Sequence, residues 1–112
     1  MKGTYLGEFE EIVMLTIACL FDQAYGLAIK KEMEKQTGRK ISIGAVHAAC
    51  NRLQDKGFLS ADWSDASQIR GGKRKKCYLV TLQGQKALKE AYELRNRLWK
   101  NIPKTAFEIS IG

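Results

Sequence analysis

Two short runs of alternating residues, Phe58–Ser64 and Lys76–Thr81, flank a glycine-containing basic turn in a chain otherwise patterned for helices. In the first run Leu59, Ala61 and Trp63 fall on one side and Ser60 and Asp62 on the other. In the second, Tyr78 and Val80 share a face. Both runs are too short for a stable helix and have the period of a strand. The turn between them reads Arg70-Gly71-Gly72-Lys73-Arg74-Lys75. Gly71 and Gly72 permit a tight reversal, so the expected element is a hairpin with a basic tip.

Three helical segments precede it. Glu8–Phe21 opens with Glu8, Glu10 and Glu11, which suit the positive end of a helix dipole, and then turns apolar on nearly every side. A helix apolar all round needs two partners, and the second is expected to be another subunit. Residues 25–37 space Tyr25, Ile29 and Met33 by four, and Gly38 offers a stop. Ser42 can cap a third helix whose Val46, Ala49, Cys50 and Leu53 follow the i, i+3, i+4, i+7 pattern up to Gly57. After the hairpin, Thr81 caps a last helix running to Pro103, with Leu88, Ala91, Tyr92, Leu98, Trp99 and Ile102 in one stripe. Residues 82–102 would extend about 31 Å, too far for the rest of the chain to cover, so the outer half is expected to pack on a second copy.

The expected fold is therefore mainly α with a small β-hairpin: a winged helix-turn-helix over residues 1–81, a C-terminal dimerisation helix over 82–103 and an unassigned tail over 104–112. The 112 residues leave room for one core and no second domain. The longest apolar run, Ile12–Phe21, is about half of the ~20 residues a membrane span needs. The N-terminal residues do not resemble a signal peptide, so a cytoplasmic protein without membrane contact is expected. Cys19, Cys50 and Cys77 form no Cys-x-x-Cys pair, and their odd number argues for buried reduced thiols rather than a disulfide framework or metal cluster.

The formal charge of +7 points to a polyanionic partner. In a winged helix the third helix enters the major groove of double-stranded DNA and the hairpin reaches the flanking backbone. Gly44, Ala45 and Ala48 would let the backbone come close, His47, Asn51 and Arg52 would bond to bases or phosphates, and Ser42 at the start of the helix belongs to the same DNA-binding set. An ordinary solvated face fits that helix alone equally well. The turn is the stronger signal, because Arg70, Lys73, Arg74, Lys75 and Lys76 would repel one another unless solvated or matched by phosphates. Trp63, Tyr92 and Trp99 read first as packing residues. The only histidine lies on the third helix, and there is no phosphate-binding glycine loop, metal-ligand spacing or paired-carboxylate cleft. An enzyme, a cofactor and a metal site are therefore not expected. The competing function is a protein- or RNA-interaction module without operator specificity, since one fold serves several ends.

Three segments resemble the PadR-like transcriptional regulators across Leu6–Trp99. They are Leu6-Gly7-Glu8-Phe9-Glu10 with Ala24-Tyr25-Gly26; Ser42-Ile43-Gly44-Ala45-Val46 with Arg52-Leu53 and Lys56-Gly57; and Gly72–Thr81 with Gly84. The resemblance implies a homodimer joined through the first and last helices, operator binding by the third helix and wing, and repression relieved by a small-molecule effector or stress. Family members commonly carry tyrosine at the position of His47 and an aromatic-rich pair at Cys77 and Tyr78. An imidazole changes charge near neutral pH, so this departure implies a pH-dependent operator affinity. Multidrug-responsive members sandwich flat compounds against a tryptophan of the last helix. Trp99 lies near that position, which makes Tyr92 and Trp99 the effector or dimer-interface residues.

Overall fold

The computed structural model describes residues 5–63 and 75–108. Its elements run α1 (Glu8–Leu20), a single 3-10 turn (Phe21–Gln23), α2 (Gly26–Thr37), α3 (Ile43–Asp55), β1 (Leu59–Trp63), β2 (Lys76–Val80), α4 (Leu82–Lys100) and α5 (Lys104–Glu108). The expected winged helix-turn-helix with a long last helix is what the chain adopts. The tip residues Arg70, Gly71, Gly72, Lys73 and Arg74, and the tail beyond Glu108, lie outside the described residues.

The helical periodicities become the core directly. Val13, Met14 and Ile17 of α1 meet Ile29 and Met33 of α2 and Val46, Ala49, Cys50 and Leu53 of α3, all fully or almost fully buried. Each large aliphatic side chain so enclosed contributes about 1.5–3 kcal/mol. Phe58, Leu59 and Tyr78 close one end of this core from the hairpin. The strands are antiparallel, with Leu59 opposite Val80 and Ala61 opposite Tyr78. A third piece of chain joins them. The Tyr78 N–H donates to the Ala24 carbonyl at 3.0 Å, and Tyr25 bridges Cys77, so the base of the hairpin is fastened to the start of α2.

Both expected caps form. Ser42 Oγ accepts from the Ala45 N–H at 3.1 Å. Thr81 Oγ1 accepts from the Gly84 N–H at 3.0 Å and donates to the Gly57 carbonyl at 2.7 Å, so one hydroxyl both starts α4 and ties it to the end of α3. Gly84 is there for space: a Cβ would stand 2.3 Å from the Phe58 carbonyl oxygen and 3.1 Å from Met14 Cε.

Three expectations need correction. The last helix ends at Lys100, not Pro103, because Pro103 disfavours helical geometry in the residue before it. In the tail, left unassigned by the sequence pattern, α5 follows, and the Phe107 ring lies 5.9 Å from that of Trp99. Of the three cysteines only Cys50 is buried; Cys19 is exposed on α1, and Cys77 is partly covered, its thiol donating to the Asp22 carbonyl. Burial pushes the Cys50 thiol up to about 11, although Lys76 and a hydrogen bond with Tyr78 oppose the shift. Trp63, expected to pack, is 56% exposed, because it ends β1 past the edge of the core. Among the described residues no helix is long and apolar enough to cross a membrane.

Candidate nucleic-acid interface

The turn between α2 and α3 sets how α3 is presented. Glu34, in the last turn of α2, accepts from the Ile41 N–H at 2.9 Å and from Lys30 Nζ at 3.0 Å. The Ile41 N–H, then Lys30, hold its carboxyl below the usual carboxylate range. Thr37 Oγ1 accepts from the Arg39 N–H. A carboxylate near a helix C-terminus opposes the dipole, which signals a local partner for Glu34, and the i, i+4 spacing from Lys30 signals one of the two it has.

With α3 so placed, its core face is filled and Ser42, Gly44, Ala45, His47, Ala48 and Asn51 all stand exposed. A Cβ at Gly44 would meet nothing within 4 Å. Nothing inside the described protein requires glycine there. Gly26 is different: a Cβ at that position would lie 2.7 Å from His47 Nε2. The glycine lets the imidazole lie against the first turn of α2, and an alanine would displace it.

A cleft of about 820 Å³ opens between these elements. Gly26 and Lys31 line it from α2 and Tyr25 from just before that helix, His47 and Asn51 from α3, and Trp63, Lys75, Lys76 and Tyr78 from the hairpin. Lys75 Nζ sits 5.8 Å from the centre of the Tyr25 ring; Lys76 Nζ lies 5.8 Å from that of Trp63 and 5.7 Å from that of Tyr78. Ring faces attract cations by their quadrupole, so both lysines are held against the cleft's rings, and Lys76 Nζ also donates to Gln54 Oε1 of α3 at 3.3 Å. Four sequence-predicted residues, His47, Asn51, Lys75 and Lys76, thus share one cleft. Tyr92 and Trp99 stand on α4, outside its lining.

Arg52 is also exposed, but its Nε donates to Glu10 at 2.9 Å. This belongs to a set of ion pairs that pattern reading missed. At the start of α1, Glu8 pairs with Arg39 at 2.7 Å, Glu10 with both Arg52 and Lys56, and Glu11 with Arg95 of α4 at 2.8 Å. Glu10 is only 7% exposed. Burial pushes its pKa up, but hydrogen bonds from Lys56 and Arg52 outweigh that effect and the carboxyl is held below its ordinary value. The three acidic residues expected to serve a helix dipole also bind α1 to the α2–α3 turn, to α3 and to α4. Among the described residues no cluster of three or more His, Cys, Asp or Glu side chains could hold a metal ion.

The chain matches the transcriptional regulator PadR-like family over residues 14–90. A search of curated proteins finds no match. Among solved structures, a PadR-like transcription factor from Bacteroides fragilis superposes with a TM-score of 0.70 at 23% identity, covering 90% of this chain and 88% of that one. A PadR-like regulator from Bacillus cereus gives 0.67 at 19% identity, covering 93% and 92%. A PadR family regulator from Eggerthella lenta gives 0.62 at 26% identity, covering 83% and 80%. With its helix-turn-helix, hairpin and long last helix, the chain belongs to the PadR-like family and is a DNA-binding transcriptional regulator.

Proposed function

We propose that this protein is a homodimeric cytoplasmic repressor that reads an inverted-repeat operator and is released by a ligand or stress signal. The observation that carries the reading is the shared cleft, where the exposed side of α3 and the cations of β2 face the same way. In this reading residues 1–81 bind DNA. Ser42, Gly44, Ala45, His47, Ala48, Asn51 and Arg52 contact the major groove, and Arg70, Lys73, Arg74, Lys75 and Lys76 clamp phosphates. Asn51 is the residue suited to specify a base, because its amide can bond an adenine edge through two atoms.

The dimer is supported by what α4 leaves uncovered. Tyr92, Leu98 and Trp99 are each more than half exposed, at 66%, 58% and 68%, and Leu15 and Cys19 of α1 are exposed as well. An apolar patch of this kind on a regulator needs a partner, and residues 82–103 supply the contact. Tyr92 and Trp99 are its aromatic anchors and the residues a flat effector bound there would meet.

A duplex carrying two half-sites on the order of 10 base pairs apart, centre to centre, is the test ligand. It should bind far more tightly than random duplex or RNA and weaken steeply with salt, by a logarithmic slope of about 0.9 per neutralised phosphate. Equal affinity for all three would favour the interaction module. Gly44→Ala sharpens the test: it should fold normally yet bind the operator at least tenfold more weakly.

A further inference from the structure

We infer that the cleft between α2, α3 and the hairpin also binds a free purine nucleotide, and that this nucleotide and DNA exclude each other. The inference rests on the reading of α3 and β2 as the DNA-contacting face and deepens it by naming a regulator for that site. A phosphate clamp needs charge and little else. This cleft has more: at about 820 Å³ it is large for a phosphate contact, and it lies within the roughly 300–1,000 Å³ of small-molecule sites.

Its chemistry divides into the three parts a nucleotide needs. Tyr25 and Trp63 bring ring faces, and a base stacked on an aromatic side chain contributes about 1–3 kcal/mol. Lys31, Lys75 and Lys76 bring positive charge, and no carboxylate side chain among the described residues lines the cleft to offset it. Three cations suit more than one negative charge, hence a diphosphate or larger. Asn51 and His47 bring hydrogen-bonding edges from α3, and asparagine is the side chain that pairs adenine through two atoms. The lysines near the ring faces can swing to the phosphates and leave a face for the base. Because His47, Asn51, Lys75 and Lys76 serve both partners, an occupied cleft withdraws these four residues from the operator.

Trp63 lines the cleft and Trp99 does not, so their indole N–H resonances report the two regions separately. Titration of the full chain with ADP should move the Trp63 signal and leave that of Trp99 in place. ADP should bind at least tenfold more tightly than pyrophosphate or adenosine alone. At matched ionic strength it should raise the apparent Kd for the duplex in proportion to its concentration. Trp63→Leu should weaken ADP about tenfold, the loss of one stacked base, and leave pyrophosphate within twofold. The inference is overturned if pyrophosphate binds and competes as well as ADP, if Trp63 does not move, or if duplex affinity is unchanged while Trp63 is saturated. A duplex that never binds while ADP still moves Trp63 would remove the DNA reading and leave the nucleotide site standing.

Discussion

The two ends of α4 meet opposite surroundings. At its start Gly84 is enclosed so tightly that a single added carbon would strike the Phe58 carbonyl, and Ala87 and Leu88 pack on the core. Two turns later Tyr92, Leu94, Leu98 and Trp99 face outward. The helix propensity of the two halves is similar, so the difference lies in what covers them. The winged-helix body closes its own core from its own residues. The outer half of α4 is apolar beyond what the body can use, and the proposed second copy accounts for that surplus. Body substitutions should therefore change stability at any protein concentration, whereas outer-half substitutions should act through association.

Leu53→Ala gives the largest expected effect. Leu53 is fully buried where α3 meets α1 and the hairpin, and truncation there costs about 2–5 kcal/mol. Denaturant unfolding should show the same loss at low and high protein concentration. Leu98→Asp comes next. Placing a charge at the centre of the proposed contact should raise the dimer dissociation constant on the order of 100-fold, about 2.7 kcal/mol, visible by sedimentation. The thermal midpoint of this variant should no longer depend on protein concentration. A monomeric wild type of unchanged sedimentation would break the comparison outright.

Glu10→Gln follows, at about 1–3 kcal/mol, because it leaves Arg52 and Lys56 without their charged acceptor. Its pH signature has a defined sign. The folded pKa of Glu10 lies below the ordinary 4.5, so between the two values the unfolded state binds more protons and stability rises with pH. The contribution is present in full above about 4.5 and is lost as pH falls through the lower folded value. Wild type should thus lose stability in that acid window, and Glu10→Gln should lose less. A parallel pH profile for both would show that the ion pairs do not hold α1 to α3.

These cases also show what a linear pattern can reveal. The faces of α2 and α3, the caps at Ser42 and Thr81 and the partnership of the two strands depend on neighbours a few residues apart or on a single hairpin, and their spacing is visible in the chain. The Glu8, Glu10 and Glu11 pairs join residues 31 to 84 positions apart, and nothing in local periodicity selects one cation over another. The same holds for Tyr25, whose bridge to Cys77 places it in the cleft. The α3 face of that cleft was legible because small and polar residues were left over once the core positions were assigned. Its α2 wall, Gly26 and Lys31, was not, because each makes sense only when α3 and the hairpin are in place.

Lys75→Ala tests the body face at a smaller scale. Removing one phosphate contact should weaken all duplexes similarly and flatten the salt slope by about one, without moving the denaturation midpoint. Loss of affinity confined to one sequence would instead make Lys75 a base reader.

The smallest expected effect falls where the two regions of α4 join. Arg95 reaches back to Glu11 at 2.8 Å, and its own side chain is mostly exposed. Solvent screens such a pair, so Arg95→Ala should cost no more than about 0.5 kcal/mol in 0.05 M salt. The difference from wild type should shrink further in 0.5 M salt, where the Debye length is only about 4 Å. That small value is what the comparison requires, because a helix end positioned by a second subunit gains little from one exposed ion pair to its own body. If Arg95→Ala instead costs more than about 1.5 kcal/mol, well above the range of exposed pairs, the body itself holds the outer half of α4. Its apolar stripe would then need a reason other than association.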